Sequence, residues 1–337
     1  MDTISVVIPV YNEEKYIEKL IESIKKQEYD FSKVEVLFVD GDSTDNTISL
    51  INQSFEKSEI NYKILKNDEK ITPKSVNIGI KNAKNDIIIR LDAHSEYPKE
   101  YFSKCVYYLN KTGADNVGCL TKTKSEGIIG DAIAEVLSSK FGVGNSKFRT
   151  NAESGYVDTV PFGTFRKELF DKIGYFNEEL LRSEDNEINY RIRKNGGKVY
   201  LFNDITTTYH PRDTICKISR QAFENGKWSV YTSYFIPGSM GIRHLIPLMF
   251  VLSIIAGIIV CIFDFSILKI LFILEIIMYL VLDIIFSLKD IFQNKILKSI
   301  LKLFIYPMYH ISYGIGSILG IGMIIKKKRK IRKSGRK

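Results

Sequence analysis

At 337 residues the chain has room for about two domains, and its 45% hydrophobic and 12% aromatic content supplies a sizeable core, so disorder is not expected. The net charge of +9 would suggest nucleic acid, but nine Lys or Arg lie in the last twelve residues, "KKKRKIRKSGRK", leaving 39 basic and 39 acidic side chains elsewhere. A neutral body with one basic end, directly after an apolar stretch, fits anionic lipid headgroups and argues against nucleic acid as a partner.

The chain opens with a buried strand, "SVVIPV" (5–10). Asn12 reads as the N-cap of a helix, with Glu13 and Glu14 in its first turn, where the dipole favours acids. Ile17, Leu20, Ile21 and Ile24 give that helix one apolar face. "VEVLFVD" (34–40) is a second strand, and the following "GDSTDNT" caps a helix through Leu50 to Phe55, with Asp42 and Asp45 as capping groups. "YKILK" (62–66) is a third strand, and Thr72 with Pro73 starts a helix reaching about Ala83. Strands and helices that alternate in this way, with near-continuous apolar strands, predict a parallel α/β sheet covered on both faces. Such sheets bind ligands at the carboxyl ends of their strands, where Pro9, Tyr11, Asp40 and Asp92 fall.

The fourth strand poses the sharpest question. In "DIIIRLDAHSEYP" (86–98) a branched apolar run ends in a carboxylate, a small residue and an imidazole. A helix cap or solvated turn would explain Asp92 alone. Asp92 and His94, two apart, can instead converge on a cation.

Further on, a strand near 115–123 precedes a helix near 126–141, a Gly/Ser/Asn-rich loop at 142–156, "VDTVPFGTF", and a helix from roughly Arg166. "SEDNEINYRIRKNGG" (183–197) reads as a helix with Ser183 as N-cap, Glu187 and Arg191 as an i, i+4 pair and a glycine stop. Gln221 and Trp228, seven apart, share a helix face if the helix survives Gly226. From Leu245 the composition changes. Residues 245–263 are uncharged, 267–288 are equally apolar but include Lys269, Glu275 and Asp283, and 303–325 are again uncharged. Such runs reach bilayer length and predict a membrane domain over 236–325 behind a cytosolic domain at 1–235, with a polybasic tail at 326–337. The positive-inside rule holds that tail on the cytosolic side. Two crossings are therefore expected, with 303–325 dipping in and returning through Pro307 and its glycines. The four cysteines, Cys105, Cys119, Cys216 and Cys261, lack metal or disulfide spacing, and the acidic start "MDTISVVIPV" is no secretory signal.

"SVVIPVYNEEKYIEKLIESI", "VDGDSTDNT", "RLDAH" and "SEDNEINYRIRKNGG" together resemble family 2 glycosyltransferases of the GT-A fold. "YHPRDT" and "RQAFENGKW" are most similar to the branch that builds succinoglycan-type exopolysaccharides. The resemblance covers about residues 4–235 and implies a GT-A, Rossmann-like, mixed and mainly parallel sheet with C-terminal transmembrane helices. It implies an inverting enzyme that takes a nucleoside diphosphate sugar to a lipid-linked or polysaccharide acceptor. Asp92 and His94 would attend a divalent cation, Mn²⁺ or Mg²⁺, although relatives usually carry Asp-x-Asp where this chain has Asp-Ala-His. Asp40 would accept a hydrogen bond from the nucleotide base, Tyr11 would stack on it, Pro9 would fix the backbone and Glu13 would lie near the ribose. Lys74 would face the diphosphate, against the plainer reading of a solvated helix lysine.

The Glu184–Asp185 pair resembles the family pair whose Asp is the base, Glu184 lying beside it at the acceptor or diphosphate. A first-turn position should lower its basicity through the helix dipole. Gly163, in "PFGTF", would let the backbone approach a sugar. His210 and Arg212 would meet the diphosphate or metal, and Gln221 and Trp228 the acceptor sugar or diphosphate, against the plainer reading of Trp228 as an interfacial membrane anchor. The competing readings are a degenerate membrane scaffold on the same fold and a nucleotidyltransferase. The latter would want a Gly-rich loop after the first strand, which this chain lacks.

Overall fold

A computed structural model describes residues 1–56, 58–211, 214–263, 266–289, 291 and 295–334. In chain order the elements are β1 (Ile4–Val10), α1 (Ile17–Lys25), β2 (Val34–Asp40), α2 (Thr47–Phe55), β3 (Asn61–Lys66), α3 (Thr72–Asn82), β4 (Ile87–Arg90) and β5 (Ser95–Glu96). There follow α4 (Tyr101–Thr112), β6 (Asn116–Thr123), α5 (Gly127–Ser138), α6 (Lys140–Val143), β7 (Gly155–Tyr156), β8 (Thr164–Arg166), α7 (Glu168–Ile173), α8 (Glu184–Lys194) and β9 (Val199–Tyr209). The chain closes with α9 (Ile215–Phe235), α10 (Ile246–Ile262), α11 (Ser266–Leu288) and α12 (Ile296–Ser334).

The strands form one mixed sheet in the order β3-β2-β1-β4-β8-β6-β9-β5, with β7 paired to β9. The four strands β1–β4 run parallel, as their apolar sequences require, and β8, β5 and β7 add antiparallel pairs. Period-two alternation sends side chains to both faces. Ile4, Val6, Ile8 and Val10 join one core with Ile17, Leu20, Ile21, Ile24 and Phe102. Val7, Leu37 and Ile88 join another with Val76, Ile80, Ile188 and Ile192. The sheet is covered on both sides, and its strand ends are left for a ligand.

Contacts divide the chain into two compact units, Met1–Lys122 with Lys147–His210, and Thr123–Ser146 with Pro211–Lys337. The division drawn from sequence at residue 235 falls inside the second unit. The reason is α9, whose polar sequence reads as part of the soluble domain but whose closest packing is on α12. A Cβ on Gly226 would overlap the Tyr313 carbonyl oxygen, and one on Gly316 the Phe223 carbonyl oxygen. The helix survives Gly226 because the missing side chain lets two backbones touch.

Two helices, Ile267–Leu288 and Ile296–Arg329, are long and apolar enough to cross a membrane, and Ile246–Ile262 is a shorter apolar helix. The dip and return expected of 303–325 is not observed. Residues 296–334 form one helix with Pro307 inside it, and Gly314, Gly316 and Gly320 serve close packing instead of a break.

Candidate active site

The carboxyl ends of β1, β2 and β4 converge because these strands are in register: Val10 pairs with Asp40 and Val7 with Arg90. The loop after β1 is not the helix start expected of it. Asn12 has φ 54 and does not cap α1. Its Oδ1 accepts the Thr44 N–H at 2.8 Å, while its own N–H donates to Ser43 Oγ at 3.0 Å. The Glu13 N–H donates to Thr47 Oγ1 at 2.7 Å and the Glu14 N–H to Asp45 Oδ2 at 3.1 Å. Side chains of the two loops thus satisfy each other's backbone donors, which holds both strand ends rigid.

Asp40, half-buried, accepts the Ser43 N–H at 3.1 Å. Pro9 pairs in register with Val39, and the exposed Tyr11 ring has Lys70 Nζ 5.1 Å from its centroid. A flat ring and a carboxylate therefore stand at neighbouring strand ends. Lys74 forms an ion pair with Glu69.

Asp92 accepts the His94 N–H at 2.8 Å, and its own N–H donates to the Tyr97 hydroxyl at 2.7 Å. His94 bridges two acids, with Nδ1 3.2 Å from Asp92 Oδ1 and Nε2 3.4 Å from Glu13 Oε1, and its ring stacks on Tyr16 at 5.2 Å. That is a bridging position, with both nitrogens turned to carboxylates. Burial pulls the Asp92 carboxyl up, but hydrogen bonds and charge from His94, with Arg90, outweigh it and hold Asp92 below its ordinary range. His210, just past β9, joins the group: its Nε2 lies 2.6 Å from Glu96 Oε1 and its N–H donates to His94 O at 3.1 Å. Arg212 lies outside the described residues.

Arg90, 3% exposed, is the residue the sequence reading passed over. It sits inside the apolar run before Asp92 and pairs with both Glu184, at 2.9 Å, and Asp185. An arginine within a buried strand is itself a signal, since such a charge persists only when paired. Its guanidinium stays protonated, because the two carboxylates outweigh the cost of burial. Asp185 behaves opposite to the dipole expectation. Burial, opposed by Arg90 and reinforced by the charges of Glu184 and Asp92, pushes its carboxyl up to about 7. Ser183 is the N-cap of α8 with φ 67, but its side chain makes no capping bond, so the dipole is not helped there.

Gly163 is required by packing, since a Cβ would collide with Asn116 Oδ1 and the Phe165 ring, while its carbonyl accepts the Arg90 N–H at 3.1 Å. Gln221 and Trp228 lie on α9 in the second unit; Trp228 Nε1 donates to Glu224 at 3.1 Å.

Asp92, Glu184 and Asp185 are hard oxygen donors of the kind that bind Mg²⁺ or Mn²⁺, but Glu184 and Asp185 are paired with Arg90, and Asp92 lies against His94. Among the described residues no three metal-binding side chains converge. Asp92, a carboxylate held below its ordinary range, fits the single hard donor that a cation shared with substrate phosphates would need.

Residues 5–174 match the model of glycosyl transferase family 2. The chain belongs to that family. It is 29% identical over 245 residues to the succinoglycan biosynthesis protein ExoA of Rhizobium meliloti, covering 72% of this chain and 74% of that one. It is 32% identical over 234 residues to a dolichyl N-acetyl-α-D-glucosaminyl phosphate 3-β-D-2,3-diacetamido-2,3-dideoxy-β-D-glucuronosyltransferase of Methanococcus voltae, covering 67% and 72%. Among solved structures, the mannosyltransferase PcManGT from Pyrobaculum calidifontis, in complex with GDP-Man and Mn²⁺, matches with TM-score 0.61 at 15% identity, over 94% of this chain and 87% of that one. Staphylococcus aureus TarS 1–349 with UDP-GlcNAc matches with TM-score 0.51 at 18% identity, over 72% of each. These likenesses establish the GT-A fold of the family 2 domain.

Proposed function

We propose that this family 2 glycosyltransferase is a membrane-anchored inverting enzyme working at the cytosolic face. It moves a sugar from a nucleoside diphosphate sugar to a lipid-linked or polysaccharide acceptor. The observation that carries the reading is the Arg90–Glu184–Asp185 cluster beside Asp92 at the strand ends.

Asp185 is the base. With its carboxyl near 7 it is substantially ionised at neutral pH yet basic enough to take a hydroxyl proton. As the acceptor oxygen attacks the anomeric carbon, its proton passes to Asp185, the bond from that carbon to the diphosphate breaks, and the nucleoside diphosphate leaves. Arg90 fixes Asp185 in position. Tyr11 stacks on the nucleobase, Asp40 accepts a hydrogen bond from it, Pro9 fixes the backbone at the strand end and Glu13 lies by the ribose. Asp92 would hold Mn²⁺ or Mg²⁺, which when bound stabilises the charge of the departing diphosphate. His94 orients Asp92, with His210 behind it, while Lys74, spent on Glu69, supports a structural role. Gln221 and Trp228 are assigned to the acceptor by resemblance.

The names of the relatives support a saccharide acceptor carried on a lipid, and the UDP-GlcNAc and GDP-Man bound by the structural neighbours support a nucleotide sugar donor. A degenerate scaffold would have no reason to keep Asp40, Asp92, Asp185 and their ion-pair partner. The test is a screen of sugar nucleotides for Mn²⁺- or Mg²⁺-dependent hydrolysis or transfer by the purified full chain in detergent. Turnover of one donor family that vanishes with chelator is expected. Inertness to every donor, with or without an acceptor extract, would leave the scaffold.

A further inference from the structure

By length and composition α12 passes for a membrane span. Its packing says otherwise. Its second half runs against α9 with backbones in contact, Gly316 on Phe223 and Tyr313 on Gly226, and its last turns set Lys327 over Tyr231 and Lys328 over Tyr234. But α9 packs Lys217, Arg220, Glu224 and Lys227, three of them cations, into positions 217–227, a charge density that hydrocarbon does not accept. The charges of α11 are instead spread over 269–283, and its two acids each accept a hydrogen bond from a serine hydroxyl. A segment touching α9 along its length cannot be in the bilayer core unless α9 is there too. The first half of α12 is bound in the same way to α5. Lys298 and Lys302, the latter 2% exposed, both pair with Glu135.

The α10–α11 hairpin is different. Among the described residues it meets α12 from its open end up to about its middle: Pro247 and Val251 at Gly314, and Tyr279, midway along α11, with His310. Its closed end is bare apolar surface, with Ile262, Phe263 and Ile267 about 70% exposed. A hairpin whose far end is exposed and apolar projects beyond the helix it packs on.

The face of α12 turned away from its partners carries Leu297, Ile300, Phe304, Ile311, Ile315 and Leu319, all exposed and spaced three, four or seven apart. That stripe ends in the basic run from Lys326. A one-sided apolar stripe with a cationic end is the pattern of a helix lying in the headgroup plane of an anionic membrane.

We propose that α10 and α11 alone cross the bilayer, and that α12, bound to α9 and α5, lies along the anionic lipid surface on the catalytic side. The side is cytosolic if the proposed function holds; the in-plane geometry does not depend on it. It also removes the conflict that made a re-entrant segment attractive, because the basic tail never has to cross.

The test reads depth. In the full chain with Cys216→Ser and Cys261→Ser, the two exposed cysteines removed, single cysteines are placed at Phe304, Ile311 and Leu319. Each is spin-labelled, and its depth is measured by collision with lipid-soluble and water-soluble relaxants in phosphatidylcholine–phosphatidylglycerol vesicles. An in-plane helix gives one shallow depth at all three positions. A crossing helix spreads them over about 22 Å, the rise of fifteen residues, passing through the midplane, and would overturn the proposal. Labels at Leu268 and Ile284 on α11 supply the crossing pattern for comparison. An impermeant thiol reagent on intact cells carrying Ser334→Cys then reports the side. Shallow depths with labelling from outside would keep the in-plane helix and contradict the cytosolic orientation instead.

Discussion

Two charge clusters in this protein are near mirror images. In the first unit one buried arginine, Arg90, holds two carboxylates, Glu184 and Asp185. In the second unit one carboxylate, Glu135, holds two lysines, Lys298 and Lys302. The first stands at open strand ends, shares its field with Asp92, and leaves Asp185 titrating near neutrality. The second ties one helix to another, and the lysines' spacing of four puts both on one face of α12. Chemistry needs a group whose charge can change. A lock needs only that its pairs stay closed.

Substitutions can break this contrast, and the largest effect is expected at its buried centre. Arg90→Met leaves two carboxylates facing each other without a counter-ion, at a cost of about 3–5 kcal/mol. It should both lower the thermal unfolding midpoint in detergent and abolish turnover. A stable, active Arg90→Met enzyme would mean the cluster is ornamental.

Gly316→Val comes next. The new side chain must push α12 off the α9 backbone at Phe223, and overpacking of this kind costs about 1–3 kcal/mol. Thermal unfolding of the full chain reads the loss. Glu135→Gln should cost a similar or smaller amount, about 1–3 kcal/mol for lost charged hydrogen bonds, while leaving the pH dependence of donor hydrolysis where it was. A moved pH profile would erase the distinction between switch and lock.

The smallest expected effect is the most diagnostic of Asp185. Its carboxyl is pushed up from 3.8 to about 7, so the folded protein keeps a proton that the unfolded chain has lost. This contribution to stability is full at low pH and is lost as pH rises through about 7. Activity runs the other way, since the base must be ionised, so kcat/KM should fall below neutrality. Glu184→Gln removes a neighbouring negative charge and should shift that acid limb to lower pH. An unmoved limb would assign it to another group.

Much of the first unit was legible because periodicity and strand ends are local signals. The apolar face Ile17, Leu20, Ile21 and Ile24, the strand ending at Asp40 and the helix after Ser183 appear where the pattern puts them, while the fourth strand stops at Arg90, two residues short of Asp92. Arg90 was missed because a run of isoleucines hides one arginine unless its pairing is asked for. Asn12 was misassigned because its partner, Thr44, is 32 residues away, and no local rule weighs a loop against a distant loop. The strand β9 has a mixed polar pattern, and it takes its place from pairing with β5 and β7. In the second unit the glycines of α12 looked like breaks from sequence alone. Only the partner helices reveal that Gly314, Gly316 and Gly320 are contacts.

The account turns on Asp185 as the base, and one pair of measurements tests it most directly. Donor affinity by calorimetry with Mn²⁺ and single-turnover transfer are compared for the full chain and for Asp185→Asn. Near-unchanged donor binding with transfer slowed by about 10²–10⁴-fold is the predicted result. Transfer at close to the original rate would remove Asp185 from the chemistry and leave its pairing with Arg90 as structure alone.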